Sequence, residues 1–429
     1  MLLDRIRGPL LWLGAPLALA GAVAGSDELR DGGAIAFAAG VVLVLARRVR
    51  GHWHARALPP AQTGLVSASA GASTVPGEMP GAVEASASSI AAAVRDQLDA
   101  KRLVPAAASI WAVTISGDES AVAVRGSDGS DGTAPGGNAL DAGAIVEIGS
   151  VSKVFTGLLL ADLAGAGVVA LDDPLDRHLP GLPARVGAIT LLDLTTHTAG
   201  LPRLPGSLLL AAFTSPTDPY ARWEGVRVER SLRHVRVRSN RRFRYSNLGV
   251  GLLGHVLSRA AGSDYETLLR ERICAPLGLT STSVALTPVQ GHDRAGLPVP
   301  PWHLAALAGA GGIRSTARDI ERFLRAQLDP AATPLAQALE RSQQPRRAAG
   351  RIAREQIALG WMVRAATADH GEIHWHDGGT GGFGSFVAFE RDTGCGVALL
   401  QSATHSLGTD AAGARLLDRL RDDRRRRTA

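Results

Sequence analysis

The chain has 429 residues, 50 of them glycine, and a formal net charge of +6. That length accommodates two or three domains, or one large domain with appended segments. The two cysteines, Cys274 and Cys395, exclude a disulfide framework but do not fix the compartment. Basic clusters at 222–244 and 424–427 accompany no nucleic-acid motif. We therefore expect solvated surfaces and no nucleic-acid partner, with contact to an anionic membrane as the alternative.

Two apolar segments, 9–25 and 33–46, begin the chain and are flanked by arginines. Each is short against the roughly 20 residues of a spanning helix, but two such segments close together are typical of a membrane hairpin. The arginine flanks then predict that both ends lie in the cytoplasm. In the alternative, the first segment is a signal peptide with a small-residue cleavage site near 22–25. We expect attachment to the cell membrane through residues 9–46 and leave open the side on which the rest of the chain lies.

Composition divides the chain into four parts. Residues 1–56 form the membrane hairpin or signal-anchor region. Residues 57–81 are rich in Pro, Ser, Ala, Gly and Thr, show no periodicity and predict a flexible linker. Residues 82–421 carry the helix and strand patterns of a folded domain, and residues 422–429 form a basic tail.

Within the folded domain, helical and strand-like patterns succeed one another. They predict a helix over 82–102, paired strands over 109–115 and 121–125, and a mostly helical region over about 166–310. Beyond it the period becomes strand-like. Candidate strands lie at 357–364, 372–376, 385–389 and 396–401, with a hairpin turn at 392–394 and a last helix at 411–420. This order predicts an α+β fold, an antiparallel sheet flanked by helices with a mostly helical inserted subdomain.

Ser150 and Lys153 form an S-x-x-K motif at the start of a predicted buried helix, after a short apolar strand over 144–148. Residues three apart share a helix face, so the Lys153 amine should lie beside the Ser150 hydroxyl, where the helix N-terminus adds a positive field. A serine hydroxyl needs a neighbouring base, and a desolvated lysine, unlike arginine, can serve as one. Lys101 is the only other lysine among 46 cationic residues, which argues against a generic surface cation. For the motif alone, a chance match is the alternative.

Tyr245 and Asn247 form a Y-x-N motif just before a second apolar helix. A nearby positive charge favours a phenolate, so Tyr245 could relay a proton from Ser150 and later to the leaving group. Asn247 could hold Lys153 and a substrate amide oxygen. The alternative is an ordinary loop in which Ser246 or Asn247 caps the helix.

His376, Asp377 and Gly378 lie where a predicted strand enters a glycine-rich segment. Glycines allow a substrate to lie against the backbone. The N–H of Gly379, paired with the N–H of Ser150, would form an oxyanion hole. The alternative is a glycine-rich hairpin without a binding role.

His374 and His376 would point to one face of that strand, so a metal-binding pair is conceivable. No third ligand stands at a suitable spacing in the sequence. We therefore expect no metal and no cofactor.

The motifs S-x-x-K, Y-x-N and H-x-G follow one another along the chain. In these motifs and in their order, the chain resembles the serine β-lactamase-related family. Within that family it is most similar to class C β-lactamases, D-alanyl-D-alanine carboxypeptidases and family VIII esterases. Four further segments are similar to the family's: 191–201, 245–249, 311–319 and 378–389. The resemblance covers about residues 82–421 and implies a β-lactamase/transpeptidase-like fold.

The resemblance also implies acyl transfer through Ser150. Lys153 and Tyr245 would share the base and proton-relay work, and Asn247 would orient the substrate. The backbone amides of Ser150 and Gly379 would hold the oxyanion. His197, in the family's Thr-His-Thr turn, would be structural.

One position departs from the family pattern. His376 takes the place of a residue that is Lys in class C β-lactamases and commonly His in the peptidases and esterases, but Asp377 stands where lactamases and carboxypeptidases have Thr. A carboxylate there repels an anionic substrate, which favours an ester, a neutral amide or a peptide with a free amine over penicillin. Tyr220 and Trp223 are either pocket-lining residues or packing anchors.

The sequence therefore predicts a membrane-tethered serine hydrolase that forms an acyl-enzyme at Ser150 and cleaves an ester or amide bond of a small substrate or peptide. A transacylase and a β-lactamase acting through the same site are alternatives. A further alternative, of another class, is a slowly deacylating sensor of cell-wall fragments.

Overall fold

The computed structural model describes residues 108–125, 141–204, 218, 220, 223–350, 354–367, 370–405 and 407–428. The predicted membrane region, the linker and the helix over 82–102 lie outside these residues, so they stay predictions. Within the described ranges, no helix combines the length and the apolar character needed to cross a bilayer.

An eight-stranded antiparallel sheet forms the centre of the described structure. Its strands are β1 (Ile110–Ser116), β2 (Glu119–Arg125), β7 (Arg347–Ala348), β8 (Glu355–Ile357), β9 (Met362–Arg364), β10 (Ile373–Gly379), β11 (Gly384–Glu390) and β12 (Cys395–Gln401). They follow the order β2-β1-β12-β11-β10-β9-β8-β7. Two small ladders stand apart, one pairing β3 (Val146–Glu147) with β6 (Arg314–Ser315), the other β4 (Gly291–His292) with β5 (Pro298–Val299).

Helices cover both faces of this sheet. They are α1 (Ser152–Gly165), α2 (Leu175–His178), α3 (Ala184–Gly187), α4 (Leu191–Thr195), α5 (Gly225–Leu232), α6 (Asn247–Ala261), α7 (Tyr265–Leu269), α8 (Ala317–Leu328), α9 (Ala336–Gln343) and α10 (Leu407–Thr428). Short 3₁₀ turns occupy Gly149–Val151, Ala305–Ala310 and Pro330–Ala332, and one π turn follows α7 over Arg270–Cys274.

The alternation of side chains along β1 assigns each face of the sheet to one layer of helices, because successive strand residues point to opposite faces. Trp111 and Val113 belong to the large core shared with the helices from α1 to α9. Ile110 and Ala112 belong to a smaller core formed with α10, to which Leu416 contributes. The antiparallel sheet flanked by helices that the sequence predicts is thus confirmed.

Helix α1 lies at the centre of the large core, which explains why its sequence is apolar on nearly every side. Phe155 of α1 stacks on Phe323 of α8 with ring centroids 4.1 Å apart. Lys153 is the one charged side chain that this helix buries completely. A helix packed on all sides holds the residues at its N-terminus in fixed positions, and these include the predicted nucleophile.

Two predicted elements differ from the observed ones. The strand predicted over 357–364 is wrong: β8 and β9 are separated by a tight turn in which the Ala358 N–H donates to the Trp361 carbonyl at 2.9 Å, and Trp361 is buried in the large core. Because the chain reverses there, 357–364 is an antiparallel hairpin of two short strands and not one strand. The last helix, predicted over 411–420, extends through Thr428 into the basic tail, because Arg421 is anchored on the sheet.

The anchor is a buried ion pair in which Arg421 Nε donates to Glu390 at 2.6 Å. Arg421→Met should lower the free energy of unfolding by about 3 kcal/mol at pH 7, since it leaves a buried carboxylate whose remaining cationic neighbour, Arg425, lies 3.5 Å away. Urea titration followed by tryptophan fluorescence measures the loss, with the exposed Arg419→Met on the same helix as the control. Equal stability of the two variants would contradict the assignment.

The same pair predicts how acid affects stability. Burial would raise the pKa of Glu390, but hydrogen bonds from Thr393 and the charge of Arg421 outweigh it and hold that pKa below its ordinary value of 4.5. A depressed folded-state pKa stabilises the protein above the unfolded-state pKa and loses its effect as pH falls through the folded-state pKa. The stability difference between wild type and Arg421→Met should therefore shrink below about pH 4.5.

Candidate active site

Ser150 lies in the 3₁₀ turn Gly149–Val151, and the α-helix that the sequence predicts to begin at Ser150 begins at Ser152. The predicted proximity holds, because the Lys153 amine donates to Ser150 Oγ at 2.8 Å. A second hydrogen bond runs from the amine to the carbonyl oxygen of Ala310 at 2.5 Å. Ala310 comes from the distant small-residue segment before β6, and sequence spacing gives no sign of this contact.

Lys153 is fully buried, and its surroundings prepare it to be uncharged near neutral pH. Burial is the main cause that lowers its pKa to about 7, and the charge of Arg203 lowers it further, whereas Asp377 opposes the shift. An amine with that pKa exists largely as a free base slightly above pH 7. Because its neighbour within hydrogen-bonding distance is the Ser150 hydroxyl, Lys153 meets the geometric requirement for a general base.

Tyr245 stands beside this pair, and its hydroxyl hydrogen-bonds the Ser150 side chain. Lys153 Nζ lies 4.9 Å from the centroid of the phenol ring. The expected easier loss of the phenolic proton is wrong: burial raises the pKa of Tyr245 far above its ordinary value, and the hydrogen bond to Ser150 offsets this only in part. Tyr245 can therefore pass a proton as a neutral hydroxyl, and Lys153 is the better base.

Close backbone packing brings the two predicted oxyanion donors together. Gly149 has a positive φ of 51°, and a Cβ on it would lie 2.5 Å from Gly379 N. A Cβ on Gly378 would overlap the carbonyl oxygen of Ile148 and lie 3.0 Å from Ser150 N. These approaches require glycine at both positions. They show that the Gly378–Gly379 backbone packs directly against the turn that carries Ser150.

His376 is buried and uncharged at neutral pH, because burial lowers its pKa to about 4. Its Nδ1–H donates to the Asp377 carbonyl at 2.6 Å, which leaves Nε2 as an acceptor. The Asp377 side chain is 43% exposed, and its charge acts on Lys153, Tyr245 and His376. The third motif therefore presents a neutral imidazole and a carboxylate, with no cation of its own.

His405 and Asp410 extend this edge of the site, and no motif or spacing in the sequence points to them. His405 Nε2 lies 3.2 Å from Asp410 and 3.7 Å from Asp377. Burial lowers the pKa of His405, but the hydrogen bond and charge of Asp410 outweigh it and raise that pKa above the ordinary value. The three side chains are close enough to ligate one ion, and the contact between His405 and Asp410 also fits an ion-pair network.

His374 takes no part in the site. Its Nε2–H donates to the Gln343 carbonyl at 2.9 Å, and its ring stacks on Phe389 at 4.9 Å between centroids. A histidine held in this way packs the core behind β10. Among the described residues, the group of three possible metal ligands that lie close together is Asp377, His405 and Asp410, and it includes neither His374 nor His376.

Asn247 is the first residue of α6, which Ser246 caps by accepting a hydrogen bond from Gly249 N at 2.9 Å. The carboxamide of Asn247 bonds the Tyr220 hydroxyl, and the Lys153 amine bonds elsewhere, so the expected hold on lysine is wrong. Asn247 Oδ1 is buried and has no hydrogen-bond partner in the described part of the chain. That acceptor is available to a substrate N–H.

Two further predicted residues support the site. His197 is buried in a left-handed backbone conformation with φ 59°, accepts a hydrogen bond from Ser246 N at 3.2 Å, and lies 4.6 Å from the Tyr245 ring. It orients Tyr245, in agreement with a structural role. Tyr220 contacts both Asn247 and the Trp302 ring, whereas Trp223 is buried as a packing anchor.

Arg203 is a site residue that motif spacing missed. It directly follows the Gly-Leu-Pro segment of the family turn, and its guanidinium carbon lies 5.2 Å from the centroid of the Tyr245 ring. The side chain is exposed. Its position after a motif segment is the signal that would have pointed to it.

Comparison with known proteins decides the family. A protein-family model described as Beta-lactamase matches residues 90–421. The chain belongs to the beta-lactamase family. It is 29% identical over 296 residues to the D-alanyl-D-alanine-carboxypeptidase/endopeptidase AmpH of Escherichia coli (strain K12), a match that covers 63% of this chain and 74% of that protein. It is 27% identical over 303 residues to a beta-lactamase of Pseudomonas fluorescens, covering 61% and 80%.

Solved structures of this beta-lactamase family share the fold. A class C beta lactamase from Rhodobacter sphaeroides superposes with a TM-score of 0.64 at 22% identity, covering 77% of this chain and 98% of that one. A beta-lactamase/D-alanine carboxypeptidase from Pseudomonas syringae gives a TM-score of 0.64 at 19% identity, covering 78% and 98%. The β-lactamase/transpeptidase-like fold and the family implied by the motifs are thereby confirmed.

Proposed function

We propose that the protein is a membrane-tethered serine hydrolase that forms an acyl-enzyme at Ser150 and cleaves an ester or amide bond. The observation that carries the proposal is the contact between the buried Lys153 amine, with a pKa of about 7, and Ser150 Oγ at 2.8 Å. A serine next to a neutral amine is an activated nucleophile.

The arrangement supports a two-step acyl transfer. Uncharged Lys153 takes the Ser150 proton as Oγ attacks the substrate carbonyl carbon, and the new oxyanion accepts hydrogen bonds from the N–H groups of Ser150 and Gly379. The leaving group departs with a proton from Lys153, directly or through the Tyr245 hydroxyl, and an ester forms at Ser150. Water then adds to that ester with the same groups in reverse order, which frees the acid and restores Ser150.

The charge of the third motif supports an ester, a neutral amide or a peptide over a β-lactam. A β-lactam antibiotic carries a carboxylate, and the third motif itself offers it a neutral imidazole, His376, beside the Asp377 carboxylate. Like charges at short range cost binding energy unless solvent screens them. Attachment through residues 9–46 belongs to the same proposal and would keep the enzyme at the membrane.

The test is a combined measurement of turnover and mass. The full chain is incubated with p-nitrophenyl butyrate, released nitrophenol is followed, and adducts are located by mass spectrometry of proteolytic peptides. We expect continuous release and at most a transient butyryl adduct on the Ser150 peptide. Ser150→Ala provides the blank, and Ser258→Ala, on α6 away from the site, is the matched serine control.

The outcomes separate the alternatives. A stable adduct after one equivalent of nitrophenol would indicate a sensor, or a transacylase that lacks its acceptor. Turnover that rises when an amine or alcohol is added, with its acylated product, would identify the transacylase. Equal release from wild type and Ser150→Ala without an adduct would overturn the role of Ser150.

A further inference from the structure

We propose that Arg203 is a specificity-determining residue that binds a carboxylate on the acyl part of the substrate. The inference rests on the proposed hydrolase function and names the acyl class that this site prefers. It follows from the position of the guanidinium, from the lack of a carboxylate partner in the described part of the chain and from the opposite charge at the other edge of the site.

The backbone fixes Arg203 at the rim. Its carbonyl oxygen accepts hydrogen bonds from the N–H groups of Asn247 at 3.0 Å and Leu248 at 3.2 Å. These are among the first N–H groups of α6, which have no acceptor within their own helix. Arg203 is therefore tied to the helix that begins with Asn247, and its side chain starts from a constant place beside the Y-x-N motif.

The guanidinium reaches the reacting groups. Its carbon lies 5.2 Å from the Tyr245 ring centroid, and Lys153 Nζ lies 4.9 Å from the same centroid. Its charge contributes to lowering the pKa of both Lys153 and His197. A group that acts on these side chains borders the space that an acyl group on Ser150 must enter.

No carboxylate of the described residues forms an ion pair with the Arg203 guanidinium. Other arginines of the chain are paired, such as Arg272 with Asp162 at 2.7 Å and Arg314 with Glu147 at 3.5 Å. The sequence that follows Arg203, from 204 to 217, contains no Asp or Glu. Arginine presents five N–H donors in a planar fork that matches a carboxylate. An exposed fork beside the Tyr245 ring, without a carboxylate partner among the described residues, fits a substrate anion.

The two edges of the site differ in charge. Asp377 lies on the β10 edge and Arg203 on the α6 edge, with the Tyr245 ring between them, 6.3 Å from the His376 ring. The unpartnered Asn247 Oδ1 lies on the Arg203 edge, where it could accept an N–H of the same acyl group. Asp377 has His405 as a neighbour at 3.7 Å, so the attraction of a substrate carboxylate rests on Arg203 at the α6 edge.

Three p-nitrophenyl esters with six-carbon acyl chains test the inference: hexanoate, the monoester of adipic acid, and 6-aminohexanoate. They differ only in a neutral, anionic or cationic end. We expect wild type to hydrolyse the adipate ester with the highest kcat/KM after subtraction of the Ser150→Ala blank. In Arg203→Gln the adipate-to-hexanoate ratio should fall about 10-fold, the effect of losing a hydrogen bond to a charged group. Using the ratio cancels any change in Lys153 that affects all three esters.

Two further variants sharpen the result. Arg203→Lys should retain part of the ratio, because it keeps the charge and loses the two-pronged geometry. Arg419→Gln, on the exposed side of α10, removes the same charge elsewhere and should leave the ratio at the wild-type value. An unchanged ratio in Arg203→Gln, or a wild-type preference for the neutral or cationic ester, would overturn the inference.

A binding measurement keeps the two proposals separable. Calorimetric titration with adipate needs no turnover, and Arg203→Gln should bind it about 10-fold more weakly than wild type. Equal adipate affinity in the two proteins would overturn the proposed role of Arg203, even if Ser150-dependent hydrolysis is found. Nitrophenol release that does not depend on Ser150 overturns the hydrolase proposal instead.

Discussion

Replacing Lys153 by methionine is expected to lower kcat/KM for a neutral ester by roughly 10²–10⁴-fold, the contribution of a positioned general base. Methionine is about as long as the lysine stem and suits a fully buried position, so packing should survive. The measurement is initial-rate kinetics with p-nitrophenyl butyrate, after circular dichroism and the unfolding midpoint have shown that the variant is folded.

Non-additivity is the control for this prediction. If Ser150 and Lys153 act as one unit, the double variant Ser150→Ala/Lys153→Met should be no slower than Ser150→Ala alone. Multiplicative losses would mean that Lys153 assists another nucleophile. A folded Lys153→Met variant with activity near that of wild type would show that Lys153 is not the general base.

The pH dependence gives a second readout of the same role. Since Lys153 must lose its proton to act, wild-type kcat/KM should rise with pH through about 7 and then level. The Asp377 charge raises the pKa of Lys153, so Asp377→Asn should move this limb to lower pH. A limb that does not move would show that another group titrates.

The motifs could be predicted from sequence because their chemistry depends on short spacings. Ser150 and Lys153 are three residues apart at a helix start, so the local backbone alone brings the amine to the hydroxyl. The antiparallel pairing of β10, β11 and β12 follows from strand periods and from the turn at Gly394, whose φ is 65°. Such features need no knowledge of distant parts of the chain.

What the sequence could not supply depends on tertiary burial. Charge proximity predicted an easily ionised Tyr245, yet the packed core raises its pKa, because loss of solvent outweighs its neighbours. Ala310 reaches Lys153 from a position 157 residues away. Arg203 becomes a site residue only when its turn folds over Tyr245. The first two features leave no periodic or spaced pattern in the sequence, whereas Arg203 is marked only by its position after the Gly-Leu-Pro segment.

Gly378→Ala is expected to lower kcat by about 10²–10³-fold, the cost of a displaced oxyanion donor. A Cβ at this position would overlap the Ile148 carbonyl oxygen and approach Ser385 Oγ, which itself donates to that carbonyl at 2.7 Å. The conflict is with backbone and with a hydrogen-bonded hydroxyl, so β10 must move away from the turn that carries Ser150. The Gly379 N–H moves with it.

Steady-state kinetics on p-nitrophenyl butyrate measures the loss, and Gly396→Ala on β12 is the matched control, because a Cβ there meets its nearest atom at 3.4 Å, an ordinary contact. Gly396→Ala should keep kcat within a few-fold of wild type. KM should change less than kcat in Gly378→Ala, since the oxyanion develops after the substrate binds. If a folded Gly378→Ala turned over at the wild-type rate, the close packing of Gly378 on the Ser150 turn would have no catalytic purpose, and the oxyanion would have to be held elsewhere.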